Sequence, residues 1–367
     1  MRIVRYEMQA PNQPLVRVEA EAPPLAPGEV LIEVAGCGVC RTDIGFLGGS
    51  ASTSHPLPIT LGHEVAGVVE AAGDEITESR WLGRAAIVPS AIPCGTCSLC
   101  QKGIPSACRK KVLVGDDIHG GFASHLAVPA RGLCPVPGWE PGRMVGRSGV
   151  RLAELSVLAD PLSIAYHAVV GSGLQAGMIA VFVGVGGIGG FGVQIARAFG
   201  AEVVALDPRE DRLERARGHG ASLALDPRRA DAAALRESIR GLAGSHRLPE
   251  AEWRIFETSG TAAGRSLAFA LLTHGSHLSL VGPPRDDASV RLGDLAAFGA
   301  TACGVPACPP SRYVEALRLA LEGRVLIAPF VERRPLATIQ EVLREMKEGA
   351  VARRPILVPD VEHGGAT

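Results

Sequence analysis

Short apolar runs separated by glycine and proline clusters fill the first 150 or so residues: Val30–Val34, Val65–Glu70, Ala85–Val88 and Leu126–Val128. Runs of this length, bounded by turn residues, predict β-strands. Near Asp160 the texture changes, and apolar strands begin to alternate with stretches of helical period. Ile179–Val183 is followed by Ile188–Phe199, and Val203–Leu206 by Glu210–Arg217. Ala221–Leu225, Arg254–Phe256, Leu278–Val281 and Thr301–Val305 continue the strand series. Alternation of this kind predicts a parallel sheet with helices on both faces. Two further helical patterns, Ser311–Glu322 and Thr338–Glu348, precede the strand-like Pro355–Val358. In the first of them Tyr313, Ala316, Leu317 and Ala320 share one side. The expected class is α/β plus β. A β-rich domain occupies residues 1–160, with a lobe at about 93–110; a doubly wound parallel-sheet domain follows over 161–305, and 306–367 return to the first domain.

Composition narrows the field. Of 367 residues, 47% are hydrophobic and 20% charged, a globular balance rather than a disordered one. Basic and acidic residues nearly cancel, 37 against 38, so neither a nucleic-acid partner nor an anionic membrane is expected. Aromatic residues make up only 4%, which leaves Val, Ile, Leu and Ala to build the core. The 29 residues from Ala168 to Ala196 carry no charge, long enough to span a bilayer. Nine of them are glycine, which suits a strand, a glycine turn and a helix better. The N-terminus, MRIVRYEMQAP, lacks an apolar core of signal-peptide length. Five of the nine cysteines stand at spacings that suit a metal, pointing to a reducing compartment. A soluble, cytoplasmic chain is expected.

The spacing Cys94-x2-Cys97-x2-Cys100-x7-Cys108 offers four thiolates to a tetrahedral Zn(II). Four protein ligands leave no open position, so the expected role is structural. An Fe–S cluster or free thiols would use the same residues, although the spacing matches neither of two common ferredoxin patterns. Cys37, Cys134, Cys303 and Cys308 read as packing thiols.

A second motif, Gly184-Val185-Gly186-Gly187-Ile188-Gly189, lies between an apolar strand and a helical stretch. Its glycines allow a tight turn, close approach of a pyrophosphate, and close packing of helix on strand. Asp207 follows 18 residues after Gly189, at the end of the next strand. A carboxylate there accepts hydrogen bonds from ribose hydroxyls and repels a 2′-phosphate, predicting NAD over NADP. Arg209 and Arg212, close in sequence, temper that preference. A glycine-rich packing turn is the plainer reading of the same residues.

Three weaker signals remain. Gly36-Cys37-Gly38-Val39-Cys40-Arg41-Thr42-Asp43 offers thiols and a hydroxyl, and Gly62-His63-Glu64 an imidazole beside an acid. Asp160 precedes Pro161. Alone, each fits a buried thiol, a hydrogen-bonded core histidine or a turn cap.

In order, GCGVCRTD, GHEVAGVVEAAG, the four-cysteine lobe, GGFASHLAVP and GVGGIG resemble the zinc-containing medium-chain alcohol dehydrogenases over nearly the whole chain. The resemblance implies a GroES-like catalytic domain and a Rossmann NAD-binding domain, with the active site in the cleft between them. It implies two zincs per chain: one in the four-cysteine lobe, and a catalytic one on Cys40, His63 and Asp160. Glu64 would stand beside that metal, and Thr42 would pass the alcohol proton outward. Arg41 and Arg354 would contact the pyrophosphate, and Val281-Gly282 the nicotinamide carboxamide. Homo-oligomers, tetramers or dimers, are implied as well. Two positions depart from the family pattern. Asp160 stands where many members carry Cys, and Gly45 where many carry a His that relays the proton; His55 is a candidate substitute.

The implied chemistry is NAD-linked interconversion of an alcohol and a ketone or aldehyde. Zinc-independent quinone or enoyl reductases usually lack these ligands, and a non-catalytic nucleotide sensor would need no open zinc site. The stretches 116–130, 308–313 and 328–336 resemble one subgroup, the 6-hydroxycyclohex-1-ene-1-carbonyl-CoA dehydrogenases, implying an acyl-CoA thioester substrate. A simple aliphatic, cyclic or benzylic alcohol is the alternative.

Overall fold

Strand Glu29–Gly38 is buried along nearly its whole length, as its unbroken apolar character requires of a central strand. It pairs antiparallel with Glu64–Ala72 on one side and with Arg354–Val358 and His125–Pro129 on the other. Ala85–Val88 and Cys134–Pro135 extend the sheet at one end and Val331–Pro335 at the other. This computed structural model describes residues 1–74, 81–282 and 287–359. It divides into two units, Met1–Asp160 with Pro309–Thr367, and Pro161–Cys308.

Register in the first unit decides which residues meet. Gly38 lies opposite Glu64 on one neighbour and Ile356 on the other. Cys40, His63 and Arg354 therefore all emerge at the same end of the sheet, although more than 300 residues of chain separate the outermost two. Glycine at 38 leaves room for Glu64, because a Cβ there would push the Glu64 carboxylate aside. A buried run of 3₁₀ helix, Leu152–Ala159, packs across these strands and delivers Asp160 at its end. That run is unusually long for 3₁₀ geometry, and its last carbonyl is pinned from two sides. The Tyr313 hydroxyl donates to Ala159 O at 2.5 Å, and Ser90 N at 3.4 Å.

The second unit holds a parallel sheet in the order Leu223–Leu225, Glu202–Leu206, Ile179–Val183, Arg254–Glu257, His277–Val281, Thr301–Val305. This is the doubly wound order in which ligands bind where the strand order reverses. The reversal falls at Ile179–Val183, fully buried at every position because helices cover both faces. Phe182 stacks on Phe256 with ring centroids 4.6 Å apart in the core. Cys303 corrects one sequence expectation. Thr301–Val305 is an edge strand exposed through its first four residues, so this thiol faces solvent, whereas Cys37, Cys134 and Cys308 are buried. Among the described residues, no helix is long and apolar enough to cross a membrane.

Candidate active site

Cys40 caps the short helix Arg41–Leu47, and Asp43 in its first turn accepts from Cys40 N at 2.8 Å. Asp43, 1% exposed, also accepts from Gly62 N at 3.2 Å and faces His63 Nδ1 at 3.6 Å. One carboxylate thus joins the two loops that carry Cys40 and His63. Its contact with Nδ1 turns His63 Nε2 toward Asp160 Oδ2, 3.9 Å away. Cys40, His63, Glu64 and Asp160 each offer a ligand atom, all within 4.8 Å of one another. Glu64 is fully buried, and its Oε2 has no hydrogen-bond partner. A sulfur, an imidazole nitrogen and two carboxylates gathered this closely form a donor set that fits a cation.

The local fields agree. Burial works against the His63 imidazolium, but the charge and hydrogen bond of Asp43, aided by Cys40, hold its pKa well above the usual value. Burial pushes the Glu64 carboxyl up to about 7, against the opposing pull of Arg354. Arg354, at the start of strand Arg354–Val358, bonds Glu64 Oε1 directly and reaches Val39 O at 3.4 Å. The structure therefore places this arginine on Glu64. Thr42 Oγ1 is exposed and lies 3.7 Å from Cys40 Sγ. Arg41 is exposed on the same helix.

The four-cysteine lobe rests on a small ribbon, Ala91–Ile92 paired with Val112–Leu113. Its sulfurs lie 3.5 Å (Cys97–Cys100 and Cys94–Cys108), 3.7 Å (Cys97–Cys108) and 4.0 Å (Cys94–Cys100) apart. Zn–S bonds of about 2.3 Å in a tetrahedron require roughly 3.8 Å between sulfurs. N–H groups of Thr96 and Cys97 pull the Cys94 thiol down to about 6, while burial pushes Cys100 up to about 12. The lobe fits one closed zinc.

In the second unit, parallel pairing of Val183 with Leu206 sets Gly184 beside Asp207. Gly184 has φ +91°, and a Cβ on Gly189 would lie 2.0 Å from Gly184 O. Gly186 caps the helix Gly187–Ala198, with Gly187 exposed and Ile188 half-buried at its start. Free N–H groups at this helix start suit a phosphate. Asp207, 1% exposed, accepts from Val185 N at 3.0 Å and pairs with Arg212 Nη1 at 3.3 Å. Val281 closes the strand His277–Val281, and Gly282 follows at φ +84°.

Comparison with known proteins settles the family. The family described as "Alcohol dehydrogenase GroES-like domain" matches residues 26–138, and "Zinc-binding dehydrogenase" matches 187–322. The chain belongs to the zinc-containing medium-chain dehydrogenases. It is an oxidoreductase of the alcohol dehydrogenase type. An alcohol dehydrogenase of Geobacillus stearothermophilus is 29% identical over 350 residues, 95% of this chain and 97% of the relative. The L-galactonate-5-dehydrogenase of Escherichia coli is 27% identical over 91% of this chain and 92% of its own length. The crystal structure of an alcohol dehydrogenase from Thermotoga maritima superposes with a TM-score of 0.86 at 25% identity, covering 98% of this chain and 100% of that one.

Within this dehydrogenase, the structure brings Cys40, His63, Glu64 and Asp160 together, and separately Cys94, Cys97, Cys100 and Cys108. Sequence reasoning gave Asp43 no role, yet it orients both Cys40 and His63. Its signal was an acid three residues after the helix cap, the spacing of a capping box. At Gly45 a Cβ would meet Ser50 Oγ at 3.5 Å, an ordinary contact.

Proposed function

We propose that this dehydrogenase oxidises a secondary alcohol with NAD, using one zinc held by Cys40, His63 and Asp160 and a second held by the four cysteines. The gathering of those first three ligands, with Glu64 buried beside them, carries the reading. When bound, the two groups supply a Lewis acid and a two-electron acceptor. The chain's own residues do the rest. Asp43 holds the Nδ1 proton of His63 and so fixes which nitrogen faces the donor set. Arg354 balances Glu64, leaving the cluster's remaining negative charge to Cys40 and Asp160. Thr42 Oγ1 takes a proton from the substrate hydroxyl and passes it toward solvent, which its exposure allows. Asp207 favours unphosphorylated ribose, and its pairing with Arg212 moderates the repulsion of a 2′-phosphate.

For the substrate, the stretches 116–130, 308–313 and 328–336 support 6-hydroxycyclohex-1-ene-1-carbonyl-CoA. The names of relatives, L-galactonate-5-dehydrogenase and L-threonine 3-dehydrogenase, favour a second reading: a secondary alcohol on an open-chain acid. NAD reduction measured with the hydroxyacyl-CoA, L-galactonate, L-threonine, cyclohexenol and benzyl alcohol separates them. The thioester reading requires a kcat/KM advantage of at least about 10²-fold, roughly 2.7 kcal/mol of transition-state binding. Equal turnover of the free alcohols overturns it. His63→Ala should abolish turnover of whichever substrate is used, retain NADH binding and lose one of two zincs; normal turnover would overturn the metal assignment.

A further inference from the structure

We propose that a groove in the first unit, away from the metal ligands, binds a medium-chain fatty carboxylate. The groove has a volume of about 870 Å³. Pro135, Pro137, Trp139, Val314, Leu317 and Leu321 give it an apolar lining, and Val314 is 58% exposed. Such a volume falls within the usual range for small-molecule sites, about 300–1,000 Å³, and admits an alkyl chain of ten or so carbons.

Its walls are fixed by backbone bonds rather than by side chains alone. On one side, Val136 N donates to Ala85 O at 2.9 Å, tying the proline-rich segment to the sheet. On the other, the last carbonyls of helix Tyr313–Leu321 are taken up by the loop that follows Gly146. Arg147 N donates to Leu321 O at 2.7 Å, and Ser148 Oγ to Ala320 O at 3.1 Å. A site built this way needs little ordering on binding.

Charge selects the occupant. Arg84, Arg147 and Arg318 line the groove against a single acid, Glu322. Arg318 is engaged by Glu315 at 3.0 Å and Glu322 at 2.8 Å. Arg84 and Arg147 form no ion pair among the described residues, so an excess of positive charge borders the apolar lining. Burying two uncompensated guanidiniums under an apolar protein face would be costly. A single carboxylate on an alkyl chain satisfies both features, its oxygens meeting arginine N–H groups in charge-assisted bonds.

The test is calorimetric titration of the purified full-length chain with decanoate, and with decanamide as the neutral control. Saturable one-to-one decanoate binding with Kd below about 1 mM is expected. The double variant R84Q/R147Q should weaken decanoate at least about tenfold, leave decanamide unchanged, and keep NAD-linked turnover. V314E, at an exposed position that should not disturb folding, should block decanoate as well. Absence of saturable binding overturns the proposal, and so does equal decanoate affinity in the variants, which would put the ligand elsewhere. A fall in sedimentation mass on V314E overturns it too, because the groove would then be a contact between copies of the chain.

Discussion

Glu64 is the residue whose surroundings say most about the site. A fully buried carboxylate with one unsatisfied oxygen persists only beside compensating charge, and Arg354, 12% exposed, supplies part of it. Arg354→Gln should therefore destabilise the first unit by about 3–5 kcal/mol, the cost of leaving a buried charge unpaired. The paired variant Glu64→Gln/Arg354→Gln should recover part of that loss; thermal unfolding of the three proteins checks it, and additive losses would show that the pair is not coupled. Gly45 offers a test of a different kind. It sits in the helix that carries Thr42, and the contact a side chain would make with Ser50 Oγ is tolerable. Gly45→His should raise kcat below pH 8 by supplying a proton acceptor near Thr42, with KM little changed. An unaltered pH profile would mean that the Thr42 proton already leaves without hindrance.

At the scale of elements, the short strand Ile59–Thr60 leads straight into Gly62-His63, and a histidine holds it. Thr60 N donates to His119 Nδ1 at 3.1 Å, a bond only the neutral ring can accept. Burial first, then the nearby Arg5 and His55, lower the His119 pKa to about 4. The unfolded chain binds this proton near 6.5 and the folded one only near 4, so unfolding takes up a proton between these values. Stability from this residue is complete above pH 6.5 and is lost as pH falls toward 4. His119→Gln, whose amide oxygen can still accept from Thr60, should flatten the fall of Tm across that window; parallel slopes in the two proteins would refute the assignment. Legibility in the sequence varied element by element. Ala85–Val88, Ile179–Val183 and Thr301–Val305 have the same ends in sequence and structure, because each is a short apolar run between turn residues. The helix Pro161–Gly171 left no trace, being buried almost all round and so lacking a polar face to give it a period. Leu152–Ala159 was hidden for the same reason. The ribbon Arg2–Met8 with Val16–Glu21 was hidden for the opposite one: its strands are rich in charge and half open to solvent. In the site, the ligands were visible as motifs, whereas the grip of Asp43 on two loops depends on a fold that brings Gly62 to Cys40.

Across the whole molecule, the two units differ in how their chains are assembled. All six strands of the parallel sheet lie within Pro161–Cys308, and Trp253, 0% exposed, sits in the core beneath them. The first unit is discontinuous. Its sheet draws Val331–Pro335 and Arg354–Val358 from the C-terminal segment, and the latter strand also brings Arg354 to Glu64. A fragment of residues 161–308 should accordingly fold alone, because every backbone pairing its sheet requires is internal. It should unfold cooperatively, as reported by Trp253, the one tryptophan it contains, and should bind NADH, since Gly184, Gly189 and Asp207 are all present. Residues 1–160 alone should not reach a cooperative fold. Without Arg354–Val358 the strand Glu29–Gly38 loses a partner, and Glu64 keeps its buried charge without the arginine that offsets it. Adding 309–367 in trans should restore some of its structure, measurable by circular dichroism. A cooperative transition in 1–160 by itself, or a 161–308 fragment without one, would show that the boundaries at Asp160 and Cys308 do not separate independent folding units.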